Sequence, residues 1–147
     1  YQKIEMSQTA SLNSRVIDPI KHIVASFKKF EVPTTQQIEE QIDILAKHLG
    51  AEDLQMQYAM HLDTDNVHFH LIVNKVHPFL KNKHGENKVI NLGEGWILNA
   101  VHRAAAEIEA KQGWEPEPNP IFIYNHDTQQ CEKNPHYVPQ PDAKKID

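Results

Sequence analysis

The chain holds one cysteine, Cys131, in 147 residues. No internal disulfide can form, a reducing compartment suits it, and the thiol reads as an ordinary surface group in a loose tail. No apolar run approaches the ~20 residues that span a bilayer, and no secretory h-region is visible, so membrane insertion is not expected and a cytoplasmic location is. Positive charge is scarce: 15 Lys and Arg face 20 Asp and Glu, a formal net charge of −5 with ten histidines counted neutral. Affinity for phosphate comes from clustered Lys and Arg, so this balance argues against a broad nucleic-acid surface. A bound divalent cation would supply positive charge locally where a phosphate must sit. Apolar residues reach only 39%, low for a compact globule, and the shortfall lies mainly beyond Glu115, where proline is frequent. The length fits one domain with a real core. No internal repeat is present, and the first residue is Tyr1 rather than Met, which reads as a fragment or a processed chain.

The hydrophobic pattern sets the elements. Residues 1–13 read as a short helix, Asp18-Pro19 as a turn, and HIVASF (His22 to Phe27) as a strand. Thr34 with Gln37 forms a capping box for a helix whose apolar face is Ile38, Ile42, Leu45 and Leu49, with Gly50 as its stop. From Leu54 to His61 apolar and polar residues alternate strictly, the signature of a half-buried strand. A polar turn, residues 63–66, leads into VHFHLIV, and the two strands pair as an antiparallel hairpin. A polar loop (residues 81–88) precedes a helix over residues 96–111 that Gly113 ends. IFIY, residues 121–124, is a candidate last strand, and residues 134–147 read as a linker or disordered tail. The expected class is α+β, an antiparallel sheet with helices packed on one face.

The chemistry concentrates between His61 and His70. His68 and His70 stand two apart on a strand, so both imidazoles leave one face, about 6.5–7 Å apart at the backbone. Phe69, Leu71 and Val73 take the other face, and burying them fixes the register. His61 ends the neighbouring strand on its polar face, which brings a third imidazole to the same point. Three neutral imidazoles form a good shell for a divalent ion and leave positions open for substrate oxygen or water. Asp63 is placed to accept an N–H from a ligand histidine and fix its tautomer. Thr64 and Asn66 build the turn. His22 opens its strand and can add to the same face, whereas the other histidines read as solvated or structural. Ser26 has no His/Asp relay around it in sequence, so a nucleophilic triad is not indicated. Lys21, Lys28 and Lys29, with Lys81, Lys83 and Lys88, are the basic clusters available for phosphate contacts.

HLDTDNVHFHLIVNKVHP closely resembles the H-x-D…H-x-H motif of P-type mobilisation relaxases, the TraI-like and MobA/MobL-like proteins, with His68-Phe69-His70 as its HUH element (U being a hydrophobic residue). HIVASF, preceded by LNSRVIDPIKH, is similar to their second motif, whose serine maps to Ser26 and is implicated in contacting DNA near the nick. Glu5-Met6 and ENKVINLGEGWILNAVHRAAAEIEAKQGW add to the resemblance, which covers roughly residues 4–114. It implies a relaxase core over residues 1–114 with the HUH endonuclease fold, followed by a Pro-rich extension or tail over 115–147. The implied activity is strand-specific nicking at a plasmid origin of transfer in a bacterial cytoplasm. A tyrosine attacks the phosphate, giving a 5′-phosphotyrosyl link and a free 3′-hydroxyl, and so starts conjugation or mobilisation. The resemblance assigns a divalent ion (Mn, Mg or Zn) to His61, His68 and His70, an orienting or proton-transfer role to Asp63, and DNA contacts to Ser26, with His22, Lys28 and Lys29 beside it. The implied partners are single-stranded or supercoiled plasmid DNA and accessory relaxosome proteins.

One departure is plain. In that family the nucleophilic tyrosine lies well before the second motif, and here only Tyr1 precedes Ser26. Tyr1 is a weak fit, Tyr58, Tyr124 and Tyr137 weaker ones, and the expected nucleophile lies upstream of this chain, with the N-terminal part of the core. Rolling-circle initiators and HUH transposases share the histidine pair but place a tyrosine on a later helix, where residues 96–111 have none. A module that binds metal and DNA without a nucleophile, or a metal-dependent hydrolase using bound water, are the readings from other classes.

Overall fold

The computed structural model describes residues 2–140. In chain order its elements are α1 (Gln2–Ala10), β1 (Ile20–Ser26), α2 (Thr35–Leu49), β2 (Met56–His61), β3 (His68–Asn74), β4 (Val76–Lys81), β5 (Asn87–Val89), α3 (Glu94–Gln112), β6 (Phe122–Asn125) and β7 (Gln130–Lys133). The architecture is α+β. β3 is the central strand of a three-stranded sheet in the order β1-β3-β2, antiparallel to both neighbours. The β2–β3 hairpin expected from the alternation is present, with His61 opposite His68 and Tyr58 opposite Leu71.

One face of this sheet is the core. Phe69, Leu71 and Val73 are buried there with Ile38, Leu45 and Leu49 of α2 and Ala100 and Ala104 of α3. Full burial of a side chain of this kind contributes on the order of 1.5–3 kcal/mol. Shifting β3 by one residue would turn three such side chains to water, so the core pins the register. The ends of α2 are set as the sequence indicates. Thr34 accepts from the Gln37 amide while the Gln37 side chain accepts from the Thr34 amide, and Gly50 closes the helix at φ 67°.

Helices do not keep to one face, in contrast to the expectation. α2 and α3 cover the core face, but α1 lies against the far end of the other one, near Ile20 and Ile72. The fully buried Asn74 amide donates to the Met6 carbonyl at 2.9 Å and anchors it there. Asn13 then donates to the Asn87 carbonyl and Glu86 accepts from Ser14, tying the end of α1 to the β4–β5 hairpin. That hairpin was expected only as a polar loop. Pro78 and the polar residues 81–88 hide it in sequence, whereas buried Asn87, bonded to the carbonyls of His77 and Pro78, supplies its internal scaffold.

Leu54 and Gln55 precede β2 instead of opening it: Leu54 donates to the Ala51 carbonyl in a turn, still buried in the core. Beyond α3 the chain is not loose. β6 and β7 pair antiparallel, Phe122 is buried, and Cys131, expected as a surface thiol in a tail, donates to the Arg103 carbonyl of α3 at 3.2 Å. Of the segment expected to be a linker or disordered tail, residues 141–147 lie outside the described residues. Among the described residues, no helix is long and apolar enough to cross a membrane.

Candidate metal centre

The pairing register decides which side chains share the open face. His68 lies opposite His61 on β2 and Ser26 on β1, and His70 lies between Ala59 and Val24. His22 is next but one to Val24 on β1, so the face carries His22, Ser26, His61, His68 and His70 together. One donor nitrogen from each of His61, His68 and His70 lies within 4.8 Å of the other two. A divalent ion with imidazole bonds of about 2.0–2.1 Å needs nitrogens about 3.4 Å apart in tetrahedral geometry, a closure that side-chain torsions supply. His61 is exposed and the other two rings are half-buried, so the trio opens to solvent on the side where a substrate would approach.

The two β3 histidines, His68 and His70, each have one ring nitrogen already engaged. His68 Nδ1 is 3.2 Å from the Asn66 carbonyl oxygen, and His70 Nδ1 is 2.7 Å from His22 Nε2. In both rings Nε2 is thereby left for an ion. For His70 to bind through it, its Nδ1–H donates to His22, whose own proton then sits on Nδ1. The His70 pKa is lowered, first by desolvation and then by the positive potential of His61, His22 and His68. That keeps the ring neutral and its lone pair available.

The sequence-derived residues fall into three groups. His22, His61, His68, His70 and Ser26 come together as described. Asp63 is exposed in the β2–β3 turn, and no hydrogen bond joins it to an imidazole; the Asn66 carbonyl occupies that role for His68. Lys28 is engaged in an ion pair with Glu115 at 3.4 Å, while Lys29 is exposed and lies 5.2 Å from the Phe30 ring. Tyr1 lies outside the described residues. Tyr58 packs against the core cluster on the opposite face, and Tyr124 lies 5.7 Å from Lys111 of α3, on the helix side.

Two features were not read from the sequence. The Asn66 carbonyl could have been found from its position two residues before His68, where the turn ends and the strand face begins. Phe30 is 88% exposed with φ 71°, a left-handed conformation that a bulky residue rarely adopts. Its one signal in the sequence is that it is the lone aromatic in KKFEVP, just past the Ser26 end of β1. The Phe27 amide, bonded to the Val67 carbonyl at 2.8 Å, holds this loop beside the histidine strand.

Residues 2–114 match the sequence model of a protein family described as "Relaxase: MobA/VirD2-like, nuclease domain". The chain is 40% identical to Protein MobA of Acidithiobacillus ferrooxidans over 116 residues, which is 79% of this chain and 26% of that protein. Two proteins named TraI from Escherichia coli are 36% identical over 61 residues (42% of this chain, 8% of the relative) and 38% identical over 78 residues (50% and 10%). The chain thus spans about a quarter or less of the length of these relatives. No solved structure matches it.

Proposed function

We propose, from the premise that this chain belongs to the MobA/VirD2-like relaxase nuclease family, that its open sheet face is the nicking centre of a mobilisation relaxase with the HUH endonuclease fold. The observation that carries the reading is the convergence of His61, His68 and His70 from two paired strands, with His68 and His70 each held by its own partner. A divalent ion bound there supplies Lewis-acid polarisation of the scissile phosphate. Imidazole donors suit manganese or zinc, with magnesium as the hard-ion alternative, and metal-content analysis decides among them.

The chain's own residues do the rest. Ser26, on the strand next to His68, presents a hydroxyl to the DNA backbone, and Lys29 adds positive charge at the same end. Lys28 joins it only by leaving Glu115. The substrate is plasmid DNA at an origin of transfer, single-stranded or supercoiled, with accessory relaxosome proteins in attendance. The bond made is a tyrosyl ester to the 5′-phosphate and the bond broken frees a 3′-hydroxyl, so ester energy is kept for rejoining. The attacking tyrosine belongs N-terminal to Ser26; neither Tyr58 nor Tyr124 faces the histidines. Asp63, exposed at the rim, is the residue available to take its proton.

Metal titration calorimetry on this chain and on His68→Ala with His70→Ala tests the centre, with one equivalent fewer bound in the second than in the first. Equal binding in both would sink the assignment. A covalent adduct assay on full-length protein and an origin oligonucleotide tests the chemistry. Cleavage without adduct would favour a hydrolase using bound water. Binding without cleavage would favour a module that holds metal and DNA only.

A further inference from the structure

A second group of ligand-type side chains lies on the other side of the core. A ring nitrogen of His48 (α2), a carboxylate oxygen of Glu107 (α3) and Cys131 Sγ (β7) all lie within 4.8 Å of one another. Three separate elements deliver them, and Cys131 lies outside the stretch that matches the relaxase family.

Glu107 is 2% exposed, and its contacts are long: 3.4 Å to His48 Nε2, 3.3 Å to Lys111 Nζ and 3.9 Å to Lys47 Nζ. Charge-assisted hydrogen bonds normally run at about 2.7–2.9 Å, so the contacts this buried carboxylate makes are loose ones. The two lysines reach it from the rim, with side chains 39% and 60% exposed, and can turn to water. Arg103 is drawn aside, 5.6 Å from the Phe122 ring. Cys131 Sγ points at the α3 backbone, donating to the Arg103 carbonyl.

We propose that His48, Glu107 and Cys131 form a second metal site, of zinc type, that staples the β6–β7 hairpin to α2 and α3. Thiolate, imidazole and carboxylate are the donors zinc accepts, and their separations need only contract to about 3.3–3.6 Å around bonds of 2.0–2.3 Å, with water in the fourth position. Binding releases the Cys131 thiol proton to solvent and changes no oxidation state. The site is independent of the nicking centre, whose donors include no sulfur.

Cobalt substitution of the unaltered chain reads the sulfur directly. A thiolate-to-cobalt charge-transfer band is expected, retained when His61, His68 and His70 are all replaced by Ala and lost in Cys131→Ser. In the triple-alanine variant, dialysed zinc should remain at about one equivalent and fall to nearly none when Cys131→Ser or His48→Gln is added. A cobalt spectrum without the sulfur band, or no zinc retained by the triple-alanine variant, would overturn the site. So would zinc retention that Cys131→Ser leaves undiminished. In any of these cases the three side chains are an ion-pair cluster under the hairpin.

Discussion

Replacing His22 with Ala removes the one side-chain partner of His70 at Nδ1 while leaving all three ligand-type histidines in place. The contact is short, 2.7 Å, and orients the ring; with an ion on Nε2 the proton of His70 sits on Nδ1. Loss of such an outer partner typically costs 10–100-fold in metal affinity. His22 is exposed and His70 only half-buried, so water can replace the missing ring nitrogen, which places the effect near the low end, about tenfold. His22→Gln, whose amide can still meet His70, should recover part of it. Calorimetric titration with manganese or zinc, against His61→Ala as a ligand deletion, supplies the scale. A change below about twofold would mean that the contact orients nothing, and a loss as large as that of His61→Ala would make His22 a ligand. Either result refutes the assignment of His22 as an outer partner.

Ser26→Ala should weaken binding of single-stranded DNA while leaving metal affinity unchanged; fluorescence anisotropy beside calorimetry checks this, and a parallel loss of both would place Ser26 in the metal shell. Phe69→Ala, at a residue 2% exposed, should cost about 3–5 kcal/mol in urea unfolding, because it empties the core directly beneath the two strand histidines. The Glu86 pKa is lowered, first by the Ser14 backbone hydrogen bond and then by the Ser14 hydroxyl. A depressed folded value means that its contribution is present above the ordinary carboxylate range and disappears as pH falls through the folded value. Glu86→Gln should therefore lower Tm at neutral pH and converge with the unaltered protein in acid, as melting curves across pH would report; a constant offset would refute the linkage.

The parts of this molecule that could be read in advance are those where one local rule acts alone. Alternation placed Phe69 and Leu71 inward and His68 and His70 outward, and the capping box placed the start of α2 at Thr34. What escaped depends on partners distant in sequence. The β4–β5 hairpin is organised by Asn87 and by residues following α1, 74 positions away in the case of Asn13, and no window around residues 81–88 contains that information. IFIY marked the first strand of the β6–β7 hairpin, but β7 looked like tail because it is four residues long and carries no apolar alternation. That Asp63 makes no hydrogen bond to an imidazole has a geometric reason. Its nearness in sequence to His61 says nothing about direction within a turn, whereas Asn66, two residues before His68, lies on the strand's own path.

The two strand histidines are held by supports of different stiffness. His70 leans on His22, a side chain whose backbone is held in the β1–β3 ladder. His68 leans on a carbonyl in an exposed turn, where residues 61–66 are all exposed and a local opening costs little. Hydrogen exchange should therefore report two rates within one centre, slow through β3 and fast through the turn. A protein or DNA strand that settles on that turn would reach the histidine cluster through His61 and through the Asn66 support of His68, without disturbing the sheet.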